Sequence, residues 1–111
     1  MDSEVIAMEI IASAGDSKAL AFEALEAAQN YDFEKAKTLL RESEKASLGA
    51  HKAQTELLVQ EANGNKTDIN VLLIHSQDHL MMGILAHELI SEMVKMYQKM
   101  SSFEENIKER I

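Results

Sequence analysis

Two short stretches interrupt an otherwise continuous run of helix-forming residues and divide the chain into three segments: Gln29-Asn30-Tyr31-Asp32 and Asn63-Gly64-Asn65-Lys66. The 111 residues contain no proline and only four glycines. Ala, Leu, Glu, Lys and Met, which lose little on entering a helix, are abundant. Asp32 can cap the helix after the first break, and Gly64 suits the left-handed conformation that ends a helix. The prediction is an all-α protein with almost no strand, one domain over residues 1–111. Helix 1 covers about 2–30, helix 2 about 32–63 and helix 3 about 68–101, followed by a charged C-terminal extension at 102–111. Helices of this length reach about 45 Å, and two short loops between three of them give an antiparallel up-down-up bundle.

Helical spacing organises each segment. In the first, Val5, Met8, Ala12, Ala19 and Phe22 form a stripe widened by Ile10, Ile11, Leu20 and Leu25, with Asp2 or Ser3 as cap. Gly15-Asp16-Ser17 interrupts it, which predicts a slight bend or a close approach by another helix. In the second, Phe33, Ala36, Leu40, Ala50 and Leu57 share a face whose middle is small and polar: Ser43, Ser47 and Gln54, with His51 alongside. That fits either tight packing with satisfied hydrogen bonds or the wall of a polar pocket. The third helix can be capped by Thr67 or Asp68. Phe103, Ile107 and Ile111 keep a spacing that can carry it to the end, although the charged run from Glu104 to Arg110 can fray.

The reactive inventory is narrow. Cysteine is absent, so disulfides, thiol catalysis and cysteine-ligated metals are excluded and histidine and carboxylates remain. A net charge of −8 argues against nucleic acid and favours a partner with a basic contact face. The acidic start Met1-Asp2-Ser3-Glu4 and the lack of any apolar run of about 20 residues predict a soluble, cytoplasmic protein.

Against this background Ile74-His75-Ser76-Gln77-Asp78-His79-Leu80-Met81-Met82 stands out, because it sets two histidines and an acid in an apolar helix. At about 100° per residue, Asp78 points the same way as Val71, Leu85, Leu89 and Met96. Burying a lone carboxylate costs several kcal/mol, roughly, unless something neutralises it. Leu73, Leu80 and Ile84 point elsewhere, so helix 3 has a second apolar face and is expected to build a homo-oligomer. On a symmetric seam Asp78 would meet its own copies, and a shared divalent cation such as Mg²⁺, which favours oxygen ligands, would relieve the repulsion. His75, about 60° round the helix, would then sit at the rim with a nucleophilic ring nitrogen. The pair His75-x-x-x-His79 also admits zinc, but Ser76 stands where the general base of H-E-x-x-H would be, and two histidines packed at a helix interface are commoner. Gln77 and His87 are read as outward-facing. Met81, Met82, Met93, Met96 and Met100 read as adaptable core, and Gly83 as a point of close backbone approach.

The run Leu73 to Met81 resembles the signature of enzyme IIA of the lactose/cellobiose type in the bacterial phosphoenolpyruvate-dependent sugar phosphotransferase system, H-x-Q-D-H-L-M after an apolar stretch. Ala14-Gly15-Asp16-Ser17 with Glu23-Ala24-Leu25, Ala50-His51-Lys52-Ala53-Gln54-Thr55 and Glu61-Ala62-Asn63-Gly64 are similar in the same order, from Met8 to Met100. Ser76 and Met82-Gly83 depart from the pattern. The resemblance implies a homotrimeric phosphocarrier in which His75 accepts a phosphoryl group from phospho-HPr and passes it to a cysteine of a IIB component. It implies Asp78 as ligand of a metal, Mg²⁺ or a similar ion, shared by three subunits at their axis, and His79 and Gln54 as neighbours of the phosphohistidine. The membrane would be met only indirectly, through the IIC permease. The Gly64-Asn65-Lys66-Thr67 turn resembles cellobiose or chitobiose relatives more than lactose ones. The rival readings are a non-catalytic helical oligomerisation module and, more distantly, a metal hydrolase.

Overall fold

Both breaks become turns and the three segments become helices. In the computed structural model, which describes residues 2–110, α1 spans Ser3–Gln29, α2 Phe33–Ala62 and α3 Val71–Arg110. No strand occurs among the described residues. Asp2 Oδ1 accepts from the Glu4 N–H at 3.0 Å, and Asp32 Oδ1 from that of Lys35 at 3.2 Å, so the expected acids cap the first two helices. Gly64 takes φ 87°, and Tyr31 in the other turn takes φ 59°.

The third helix differs from expectation at both ends. Residues 65–70 are not helical, and the cap is Asn70 rather than Thr67 or Asp68: its Oδ1 accepts from the Leu73 N–H at 2.8 Å. Its Nδ2 also reaches Ser3 Oγ at 3.4 Å, so the start of α3 is fixed against the start of α1, a tertiary tie that local capping rules do not contain. At the far end the helix continues through the charged extension to Arg110, where the Tyr31 hydroxyl donates to Glu104 Oε1 at 2.8 Å. Ile111 lies outside the described residues. With 27, 30 and 40 residues in the three helices, α3 outruns its partners, and the molecule is a rod of 68 × 20 × 20 Å. None of the helices is long and apolar enough to cross a membrane.

α1 is the middle member. It packs along both other helices, whereas α2 and α3 meet along little of their length. A helix flanked on two sides needs small residues there, and the buried side of α1 is Ile6, Ala7, Ile10, Ala14, Ser17, Ala21, Ala24, Ala27 and Ala28. This corrects the predicted stripe: Val5, Met8 and Phe22 are about half exposed, and Ala12 and Ala19 are exposed as well. The larger residues lie on the side away from the packing, where size is not limited.

The helix glycines of α1 and α3 divide. A Cβ at Gly83 would stand 3.2 Å from the Ala14 carbonyl oxygen, so Gly83 does admit α1. A Cβ at Gly15 would meet nothing within 4 Å, so of the two readings the close approach is absent there, and α1 is one helix through it. Ser43 of α2 fulfils the packed-and-satisfied reading: its Oγ donates to the Ser17 carbonyl at 2.7 Å, while Ser17 Oγ donates to the Ser43 carbonyl at 2.8 Å. His87 completes the link, with Nδ1 3.1 Å from Ser43 Oγ. It is half-buried between the helices, not the outward-facing surface residue expected.

Candidate functional site

α3 divides its side chains cleanly. Leu73, Ser76, Leu80, Gly83, Ile90 and Val94 are buried against α1 and the edge of α2. On the opposite side Val71 is 82% exposed, Leu85 54% and Met96 62%, with Leu89 and all five methionines of the helix 3 cluster also uncovered. The methionines are therefore not bundle core, as their apolar character had suggested. They belong to an apolar face that the chain's own helices leave open, and such a face usually marks contact with another molecule. Asp78 is exposed in its middle. Its carboxylate is hydrated in the single chain, and the cost of burying it arises only if that face is covered.

His75 and His79 occupy one flank of this face. His75 is exposed and His79 half-buried. Their Nε2 atoms are 3.0 Å apart, and the rings meet edge to face with centroids separated by 4.5 Å. The i, i+4 spacing alone brings the rings together, since one helical turn advances about 5.4 Å while returning nearly to the same direction. At 3.0 Å one nitrogen carries the hydrogen and the other offers its lone pair. A single chain thus presents an exposed imidazole nitrogen beside an N–H donor, and that arrangement can hold a tetrahedral anionic group on one ring while the other ring donates to it.

The opposite flank is a groove of about 250 Å³ between the end of α2 and the start of α3, lined by Gln54, Leu57, Leu58, Ile69, Leu73 and Gln77, among others. Gln77 is half-buried there, its Nε2 3.3 Å from the buried Ser76 Oγ, and so is not the outward residue expected. Gln54 Oε1 is buried and has no hydrogen-bond partner among the described residues. Within one chain Gln54 and His75 lie on different flanks of α3, and the groove's wall does not include His75.

Among the described residues no three His, Asp or Glu side chains converge to hold a metal ion. A site with three protein ligands from one chain, as a metal hydrolase would need, is therefore not formed among the described residues. Asp78 nonetheless fits a cation shared between copies. It is a carboxylate on a face with exposed Val71, Met81, Met82 and Leu85, it forms no salt bridge among the described residues, and its oxygens are the donors that hard ions prefer.

Comparison with known proteins agrees with this geometry. Residues 5–98 match the family model described as the lactose/cellobiose-specific IIA subunit of the phosphotransferase system. The lactose-specific EIIA component of Staphylococcus epidermidis is 41% identical over 96 residues, covering 86% of this chain and 92% of that protein. The crystal structure of the cellobiose-specific enzyme IIA from Bacillus anthracis superposes with a TM-score of 0.89 at 38% identity, over 92% of this chain and 94% of that one. The chitobiose IIA of Escherichia coli, solved in solution as a complex with HPr, gives 0.78 at 35% identity, over 91% and 98%. The match spans all of α2 and the His75–Asp78 stretch of α3, in a three-helix fold shared with solved members, so the chain belongs to the lactose/cellobiose-specific IIA family and is a phosphotransferase component of the sugar phosphotransferase system.

Proposed function

We propose that this chain is a cytoplasmic phosphocarrier of sugar uptake, taking a phosphoryl group from phospho-HPr onto His75 and passing it to the cysteine of a IIB component for a disaccharide of the lactose or cellobiose type. The observation that carries the reading is the exposed His75 ring with its Nε2 3.0 Å from that of His79. The His75 Nε2 lone pair attacks the phosphorus of the donor's phosphohistidine. A P–N bond forms on His75 as the donor's P–N bond breaks, and the donor imidazole recovers its lone pair. In the acceptor state the hydrogen between the two nitrogens belongs to His79, so His75 is left as the nucleophile. After transfer the same N–H of His79 faces a phosphoryl oxygen. Phosphoryl transfer asks little of a protein beyond in-line positioning and stabilisation of the moving charge. The IIB thiolate then reverses the geometry, attacking phosphorus as the His75 P–N bond opens. The net charge of −8 suits a donor with a basic docking face.

The same reading makes the active form a homotrimer with three parallel α3 helices meeting along Val71, Asp78, Leu85, Leu89 and Met96. Asp78 of each copy would ligate one Mg²⁺ or similar ion at the axis, which supplies positive charge to offset three carboxylates. A three-fold contact is heterologous, one flank of each helix against the other flank of the next. His75 and His79 would therefore face the Gln77 and Gln54 side of a neighbouring copy, which gives Gln54 a place near the phosphohistidine that it lacks within one chain. The membrane enters only through the IIC permease.

Incubation with phosphoenolpyruvate, enzyme I and HPr tests the relay. An acid-labile phosphoryl adduct should form on the wild type and be absent from His75→Ala. A wild type that takes up no phosphoryl group would leave an assembly module as the better reading.

A further inference from the structure

We propose that His75 and His79 also form a two-nitrogen chelate for Zn²⁺, and that metal bound there blocks phosphoryl transfer. The site needs only one chain. Its two Nε2 atoms face each other at 3.0 Å. A tetrahedral zinc with bonds of about 2.0–2.1 Å holds two nitrogens about 3.3 Å apart, so the nitrogens need to part by only a few tenths of an ångström while the rings turn to bring both lone pairs onto the metal. Because the i, i+4 spacing is fixed by an unbroken helix from Val71 to Arg110, little is lost in organising the ligands, and side-chain rotation supplies the opening.

Zinc in this position takes both Nε2 lone pairs. The hydrogen between the rings must leave, and it moves to Nδ1 of His79, so both rings stay neutral and no proton is released. The remaining two positions of the tetrahedron are open to water, because among the described residues no third His, Asp or Glu converges on the pair. The site is thus more open than a structural zinc site and is reversible. The functional consequence follows from sharing an atom. The lone pair that zinc occupies is the one that must attack phosphorus, so metal and phosphoryl group exclude each other, and each lowers the other's affinity. Mg²⁺ prefers oxygen ligands and its water shell, so it should leave the pair alone. A carrier of this design would accept phosphate only where free transition metal is scarce.

The chelate stands on geometry alone, while the inhibition rests on His75 being the phosphoryl acceptor, and the test separates the two. Zn²⁺ is titrated by calorimetry into tag-free protein carrying Asp78→Leu, which removes the axial carboxylates. One Zn²⁺ per chain is expected, and either His75→Ala or His79→Ala should abolish it. No saturable binding would overturn the proposal, and so would one equivalent that survives in His79→Ala, which would point to another pair such as His51 and His87. Transfer from purified phospho-HPr is then timed with Zn²⁺, with Mg²⁺ and with chelator. The wild-type rate should fall about tenfold once free Zn²⁺ reaches ten times its dissociation constant, as simple competition requires, and chelator should restore it. Mg²⁺ should have no such effect, and the rate of His79→Ala should not depend on Zn²⁺. Zinc that binds without slowing the wild type would overturn the inhibitory role. Zinc binding with no phosphoryl uptake in any condition would instead sink the phosphocarrier reading and leave the chelate standing.

Discussion

At the scale of single residues, the proposed chemistry depends on which of two adjacent imidazoles gives and which receives. If His79 serves as donor to the phosphoryl group on His75, its loss removes a hydrogen bond to a charged group, worth about 1.5–3 kcal/mol. Single-turnover transfer from phospho-HPr should then slow by about ten- to a hundredfold in His79→Ala, with His75 still the residue modified. His79→Gln, which keeps an N–H donor, should recover part of the loss. Equal rates in the wild type and His79→Ala would show that His79 is only a packing neighbour. These residues were legible in the sequence because their meeting depends on one helical turn and nothing else. Gln77 and His87 were not, because whether they face outward depends on which side of α3 the bundle covers. The signal was present: Leu73, Leu80, His87 and Val94 are spaced by seven, and three of the four are buried. Gln77 precedes half-buried Ile84 by the same interval.

At the scale of elements, the helices and the caps of the first two could be read from propensity and turn residues, whereas the buried face of α1 could not. Hydrophobicity ranks Val5, Met8 and Phe22 above Ala21, Ala24 and Ala28, yet a helix pressed between two others buries the alanines. The glycines test this packing with opposite signs. Gly15→Ala meets open space and should raise stability by about 1 kcal/mol through helix propensity, read as a higher urea midpoint. Gly83→Leu must displace the Ala14 carbonyl and should lower it by about 1–3 kcal/mol. A destabilising Gly15→Ala, or a neutral Gly83→Leu, would contradict the described contact between α1 and α3. At the other end of the rod, the Tyr31–Glu104 bond ties the α1–α2 turn to the extension. The accepting carboxylate, with lesser help from desolvation, raises the Tyr31 pKa. A raised pKa means the contribution is complete below the phenol's ordinary value of about 10 and is lost as pH rises through the higher folded value. Protection of the extension's amides from hydrogen exchange should therefore hold at neutral pH and weaken in Tyr31→Phe.

For the whole molecule, the feature to explain is an apolar face about nine turns long that the chain's own fold leaves exposed, from Val71 at 82% to Phe103 at 67%. The sequence carried this signal as a helix apolar on two sides. It could not say which side the bundle would take, because that depends on how α1 lies against α3. If copies of α3 meet along the face, Leu85→Glu places like charges on the seam and should convert the trimer to monomer in analytical ultracentrifugation. Asp78→Leu should stay trimeric and lose its axial Mg²⁺. A monomeric wild type, or Mg²⁺ retained in Asp78→Leu, would contradict the assembly. The relay itself is tested most directly by locating the phosphoryl group, using two-dimensional nitrogen–proton NMR of the phosphorylated protein with assigned histidine rings. The account predicts one group per chain, on Nε2 of His75. A group found on His79, His51 or His87, or one that persists in His75→Ala, would contradict it.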